Sequence, residues 1–265
     1  MKNLIFLIPV LLFFSCEKVI DVDLNEANEN IVIEAKFNAE TKTADVLISK
    51  TTGYFNPEEI QFVDDAVVMI SNQNGDIQKI ELSENGNYST TVNFVLTDSL
   101  TIEIDHDLGF FTSTSEIIEP SELQNIEFIK ATGPLAQANG DYIIRVDITD
   151  KEDEENYYMF ETYKNGQKLG SLRGYDVIDD QTANNGAIGY FFIGNAHNIG
   201  DTVDLRLMAI NKDAYKYYGD LAQQTSEGMG GASASPANPV NNWSNNALGY
   251  FMVFAPTDHS IVIKE

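Results

Sequence analysis

Apolar residues recur at every second position through several stretches of this chain, and that period of two is what most restricts its fold. Ile31, Ile33, Ala35 and Phe37 alternate with Val32, Glu34 and Lys36. Leu100, Ile102 and Ile104 alternate with Thr101, Glu103 and Asp105. Tyr142, Ile144, Val146 and Ile148 alternate with Ile143, Arg145, Asp147 and Thr149. Successive side chains on a strand point to opposite faces, so each stretch predicts a strand with one buried face and one wetted face. Asn-Gly pairs stand at Asn74-Gly75, Asn85-Gly86, Asn139-Gly140, Asn165-Gly166 and Asn185-Gly186. Both residue types tolerate the positive φ that tight hairpins require. Short strands joined by such turns predict an all-β protein of antiparallel sheets packed as sandwiches or barrels.

The pattern breaks in informative places. The strand-like Phe110–Ile118 stops before Pro120, which cannot donate to a ladder, and a new β pattern begins at Ile126. This places a first β-sandwich domain over 29–119 and a second β-rich domain over 125–265, with a single continuous sandwich as the alternative. Within the second, Tyr215, Tyr218, Leu221 and Ala222 fall at helical spacing between Lys212 and Gln224. They predict one short amphipathic helix laying an aromatic face on a sheet, with a ligand-facing tyrosine stripe as the alternative. The Gly-, Ala-, Ser-, Pro- and Asn-rich stretch from Gly228 to Asn246 reads as a long surface loop.

The first residues read as a processing signal. Lys2 is followed by an apolar run from Leu4 to Phe14, roughly half the ~20 residues a helix needs to cross a bilayer. Phe13-Phe14-Ser15-Cys16 resembles a lipobox, in which cysteine receives a diacylglycerol and the chain is cut before it. Residues 1–15 are therefore expected to be a lipoprotein signal peptide. Cys16 is the expected lipidation site, and 16–28 an acidic, Asn-rich tether. The chain has 1 cysteine. An exported protein normally pairs its cysteines, so a lone one needs another use, and lipidation supplies it.

The formal net charge of −25 repels phosphate backbones, which excludes nucleic acid as a natural partner. No nucleophile elbow, phosphate-binding glycine loop or nicotinamide fingerprint occurs. His106, His197 and His259 lie far apart and lack a second ligand at metal-binding spacing. The cluster Asp147, Asp150, Glu152, Asp153, Glu154 and Glu155 offers oxygens of the kind calcium takes, but not in an EF-hand spacing, and reads as a solvated hairpin loop. Trp243, Asn245, Asn246, Tyr250 and Phe251 could stack on a sugar; pinning the long loop to the core is the preferred reading. No catalytic, metal or cofactor-binding residue is assigned.

Taken in order, further segments carry a resemblance. Cys16 precedes Val19-Ile20-Asp21-Val22-Asp23-Leu24-Asn25-Glu26-Ala27 and the strand Ile31-Val32-Ile33-Glu34. Asp65-Ala66-Val67-Val68-Met69-Ile70 leads to Glu84-Asn85-Gly86-Asn87-Tyr88. Asp150 and Asn156-Tyr157-Tyr158 follow, then Tyr215-Lys216-Tyr217, Pro236, Pro239-Val240, Asn242 and Ala247-Leu248-Gly249-Tyr250-Phe251. The whole resembles the Bacteroidota lipoproteins grouped as domain of unknown function 4249. That family often has Gly-Asn where this chain reads Asn241-Asn242. The resemblance implies an outer-membrane lipoprotein, periplasmic-facing or surface-exposed, whose genes often neighbour TonB-dependent receptors. It implies sandwiches of immunoglobulin-like or carboxypeptidase-regulatory-like form and brings no catalytic residues. The resulting expectation is a non-catalytic binding or accessory partner of a TonB-dependent transporter. A carboxylate-based hydrolase of glycan or peptide, or a structural or adhesive surface lipoprotein, are the alternatives.

Overall fold

The computed structural model describes residues 30–51, 60–133, 136, 140–149, 154–170, 175–181, 187–225 and 238–264. Strands dominate, as the alternation requires. In chain order they are β1 (Ile31–Asn38), β2 (Thr43–Lys50), β3 (Gln61–Phe62), β4 (Val67–Asn72), β5 (Ile77–Glu84), β6 (Asn87–Thr91), β7 (Ser99–His106) and β8 (Gly109–Glu116). There follow β9 (Leu123–Lys130), β10 (Tyr142–Thr149), β11 (Tyr157–Lys164), β12 (Gln167–Lys168), β13 (Asp176–Asp179), β14 (Ala187–His197) and β15 (Thr202–Ile210). Helix α1 (Lys212–Thr225) and strands β16 (Leu248–Phe254) and β17 (Pro256–Val262) complete the chain.

The first sheet runs β16-β1-β2-β6-β5-β4-β7-β8, with β3 added to β2. Asn85 and Gly86, at φ 48° and 70°, make the tight turn between β5 and β6. Ile33, Phe37, Leu100, Ile102 and Ile104 are fully buried inside this sheet, on the faces the alternation predicts, and Ile48, Ile70 and Ile80 join them. Its two ends approach each other. The inward face of β8 narrows to Ser113 and Ser115, so β16 can lie against it, and the Val253 amide donates to the Ser115 hydroxyl at 3.3 Å.

Two further sheets follow. β14-β10-β9 faces one side of β12-β11-β15-β17, in which β13 also pairs with β11. Ile144, Val146 and Ile148 meet Tyr158, Phe160, Val203, Leu205 and Leu207 in the second core. The other side of β11 and β15 presents Met159, Met208 and Ile210 to α1 and β16, which form the third core.

One strand pairing joins the two expected segments, 29–119 and 125–265. β16 lies within 125–265, yet it pairs in parallel with β1, from Val32↔Leu248 to Asn38↔Phe254. Phe251 and Val253 enter the first core, while Tyr250, Met252 and Phe254 enter the third. The end of the expected surface loop is likewise internal. Trp243 is buried, and its indole N–H donates to the Ile33 carbonyl at 3.0 Å. Asn242 accepts from the Phe251 amide and donates to the Phe251 carbonyl, both at 2.8 Å, replacing ladder bonds that a neighbouring strand would make. Residues 1–29 and 226–237 lie outside the described residues, and with them the signal peptide, Cys16 and the tether.

Candidate functional site

Strand β1 buries Ile33, Ala35 and Phe37, so Glu34, Lys36 and Asn38 must face outward. On most sheet edges that row would meet solvent. Here β16 lies alongside, and its matching row of Tyr250, Met252 and Phe254 is covered by β15 and α1. The outward row of β1 therefore becomes one wall of a cleft of about 450 Å³ between the first and third sheets. Met208, Met252 and Phe254 supply its apolar lining. Thr43 and Asp45 of β2 extend one wall, and Glu161 and Arg206 belong to the other.

Most charges in the cleft are already tied. Arg206 grips Asp258 across the β15–β17 ladder with two bonds of 2.8 Å, from Nε and Nη2. That fork raises the guanidinium pKa and holds the Asp258 carboxyl below its usual range. Burial pushes the Glu161 carboxyl up, but the Lys168 ammonium outweighs it, helped by Lys36 and the Tyr163 hydroxyl, and leaves it below the ordinary value. The Asp45 carboxylate accepts from the Ser89 hydroxyl at 2.6 Å. Glu34 and Lys36 have no ion-pair or hydrogen-bonding side-chain partner among the described residues.

Glu34 and Lys36 also border a second, smaller space. A chamber of about 40 Å³ is lined by Glu34, Ala35, Lys36, Tyr175, Tyr217, Tyr218, Leu221 and Tyr250. Helix α1 brings two of these tyrosines. Asn211 caps it, its Oδ1 accepting from the Ala214 amide at 2.7 Å and from the Tyr250 hydroxyl at 2.9 Å. The cap thereby fixes the helix start to β16. Ala214, Tyr217, Tyr218 and Ala222 then face inward and are buried, with Leu221 half-buried beside them. The expected face included Tyr215 and missed Tyr217. Tyr215 instead sits at the helix edge, 5.0 Å from the Tyr157 ring, its hydroxyl reaching Asp179 at 3.3 Å.

The rings interlock. Tyr175 and Tyr218 have centroids 5.0 Å apart, Tyr217 and Tyr218 meet edge to face at 5.1 Å, and Tyr217 stacks on Tyr250 at 5.1 Å. Burial pushes all four phenols up, Tyr250 to about 12 and Tyr218 well above its ordinary value. They are neutral hydrogen-bonding groups throughout the physiological range. The carboxylate of Glu34, which lines the same chamber, adds to the upward shift of Tyr175, Tyr217 and Tyr218 alike.

The residues singled out in the sequence are placed differently. His106 shares a 3.1 Å bond with Asp65, His259 is on β17 opposite Leu205, and His197 is fully buried at the end of β14. They are not brought together. Asp147 is bound by Arg145, and Glu155 by Lys212 at 2.6 Å and the Tyr157 hydroxyl at 2.8 Å. Asp150, Glu152 and Asp153 lie outside the described residues. Among the described residues no three histidine, cysteine or acidic side chains group as metal ligands. Trp243 and Phe251 are core residues 6.4 Å apart, so they pin the loop as preferred and leave no face for a sugar. Among the described residues no helix is long and apolar enough to cross a membrane.

The cleft residues escaped the sequence reading for a physical reason. Glu34 and Lys36 were visible as the polar row of a strand, but nothing local says that Tyr175, Tyr217 and Tyr250 will stand over that row. Their assembly depends on the parallel pairing of β1 with β16.

No curated protein matches the chain. A two-fibronectin type-III domain segment from chicken tenascin aligns at 9% identity and a TM-score of 0.26, covering 89% of this chain and 100% of that one. The BSP domain of a biofilm-associated protein aligns at 11% identity and a TM-score of 0.26, covering 85% of this chain and 29% of that one. Residues 17–260 match the family described as a domain of unknown function, DUF4249, so nearly the whole chain belongs to that family.

Proposed function

We propose that this chain is a non-catalytic binding protein of the cell envelope, lipid-anchored through Cys16, and an accessory partner of a TonB-dependent transporter in the outer membrane. The observation that carries the binding role is the cleft along β1, where the side chains of Glu34 and Lys36 make no ion-pair contact or hydrogen bond among the described residues, opposite Arg206 and Glu161, which are tied to structural partners. Carboxylates whose acidity shifts, among the described residues, are Glu127, Glu155, Glu161, Asp201 and Asp258, and each is shifted down. The cations beside Glu155, Glu161 and Asp258 hold these three carboxylates as ion-pair structure. The body on the tether is read as two β-sandwiches that share β16.

The anchor rests on Phe14-Ser15-Cys16, and the transporter partnership on the family resemblance. Cross-linking in intact cells, followed by identification of the partner, tests the latter. A TonB-dependent receptor should be recovered with the wild-type chain and lost with Cys16→Ala, which should also leave the membrane fraction. If gently solubilised membranes yield the protein alone, the partnership is wrong. Retention of the Cys16→Ala variant in membranes would remove the anchor.

A further inference from the structure

Tyr217 and Tyr218 are about nineteen-twentieths buried, at 6% and 5% exposed. A buried phenol normally finds a hydrogen-bond partner. Tyr250 does so with Asn211, and Tyr88 in the first core does so with Val63 and Ala66. The hydroxyls of Tyr217 and Tyr218, and of the half-buried Tyr175, have no protein partner among the described residues and open on the small chamber instead. They line it together with Glu34, an exposed residue whose carboxylate has no ion pair or hydrogen bond among the described residues.

From this we infer that the chamber is a binding site for the ammonium end of an organic amine, which enters from the cleft past Glu34. A primary ammonium has three N–H donors and no acceptor. Glu34 supplies charge, the unpartnered phenol oxygens supply acceptors, and the tyrosine rings supply faces that attract a cation. An anion would meet the carboxylate first, and a neutral alcohol would gain neither charge nor cation–π attraction. The chamber is small, so it suits a single ammonium and its adjoining methylene, with the rest of the ligand lying in the wider cleft that shares Glu34 and Lys36. The net charge of −25 favours the approach of cations in general, so specificity must come from the chamber rather than from the surface field.

This inference rests on the reading of the chain as a binding protein and not on its anchor or transporter. Titration of the full mature chain with n-butylammonium, followed by calorimetry or by NMR of the tyrosine rings, should show saturable binding. n-Butanol and butyrate should show none. Glu34→Gln should weaken butylammonium at least tenfold. Tyr218→Phe should weaken it severalfold without lowering the melting temperature, because the hydroxyl removed has no partner to lose. Nα-acetyl-lysine amide and spermidine serve as further arms: tighter binding of the first assigns the ammonium to a lysine side chain, of the second to a free polyamine. Equal binding of butanol and butylammonium, or undiminished binding in Glu34→Gln, overturns the proposal. Either result leaves the recovery of a receptor by cross-linking untouched.

Discussion

Strand β16 separates two interiors of opposite character. On one side Phe251 and Val253 join a first core of Ile, Val, Leu and Phe, in which Trp243 donates to Ile33 and the Tyr88 hydroxyl bonds Val63 and Ala66, each at 3.0 Å. Ser113 is the exception there, with an unpartnered hydroxyl. On the other side Tyr250, Met252 and Phe254 join methionines and tyrosines around a cavity, with phenols left unpaired. The first interior is arranged for a single packed state. The second leaves phenol hydroxyls without protein partners on the wall of a cavity, where water or a ligand can meet them. Methionine lining adds adaptability, since its unbranched thioether fits irregular contents.

The largest effect should come from breaking the seam between the two. Gly249 sits at φ 99°, and a Cβ there would lie 2.1 Å from the Ile33 carbonyl oxygen and 2.7 Å from its carbon. Both atoms are backbone, so nothing flexible can yield. Gly249→Ala should detach β16 from β1 and cost about 4 kcal/mol or more, unfolding much of the protein at ambient temperature. Denaturant titration read by Trp243 fluorescence measures this directly. A loss under 1 kcal/mol would mean that the parallel ladder is not needed by either interior.

The two faces of β16 can then be compared on one strand. Phe251→Ala removes a fully buried ring from the first core and should cost about 3–5 kcal/mol. Met252→Ala, one residue on, opens space beside a cleft that already exists, and should cost nearer ~2 kcal/mol while altering any ligand binding there. Equal costs would show that the third core is packed as tightly as the first.

How far the sequence discloses this difference depends on the strand. β1, β7 and β10 each bury one face, so alternation alone identifies them and their inward residues. β16 reads Leu248-Gly249-Tyr250-Phe251-Met252-Val253-Phe254 without alternation, because both its faces are covered. Such a run is the signature of a doubly buried strand, but its length and pattern do not distinguish it from a piece of buried helix. Its partner lies more than two hundred residues earlier (Val32 against Leu248), and no local rule carries register over that distance. The Tyr chamber is hidden for the same reason, since its walls come from β1, β16, α1 and the approach to β13. The helix was legible from spacing, but its inward face is wider than the expected one, adding Ala214 and Tyr217 while Tyr215 packs at its margin, because the Asn211 cap and β16 set its rotation.

A pair of Tyr→Phe changes sharpens the contrast at the level of single hydroxyls. In Tyr88→Phe the Ala66 amide and Val63 carbonyl both lose their bond in a dry core, and the change should cost about 1–3 kcal/mol. In Tyr218→Phe no bond is lost, so stability should stay within about 0.5 kcal/mol of wild type or rise. Thermal unfolding of the two variants in parallel is sufficient. If Tyr218→Phe costs as much as Tyr88→Phe, its hydroxyl has a partner in solution and the second interior is not poised for a ligand.

The smallest effect concerns His197, an unpartnered buried group in the part of the molecule beyond the first core. Both its ring nitrogens lack a hydrogen bond, and burial lowers its pKa, assisted by Lys164 and opposed by Asp201. In the unfolded chain a histidine takes up its proton near pH 6.5, whereas the folded chain resists doing so until lower pH. Above that value the two states bind equally, and the native state keeps its full stability. As pH falls below about 6.5 the unfolded state binds more protons, so stability declines until the folded pKa is passed. Asp201, with a lowered pKa of its own, acts in a separate and more acid window. Between pH 7 and pH 5 the wild type should therefore lose on the order of 1 kcal/mol relative to His197→Leu, which has no proton to gain. Identical pH profiles for the two proteins would mean that the imidazole has a partner at neutral pH. In that case His197 would leave the set of unpartnered buried groups, which would still include Ser113 and Thr162, and the contrast between the two interiors would rest on the chamber beside β16 alone.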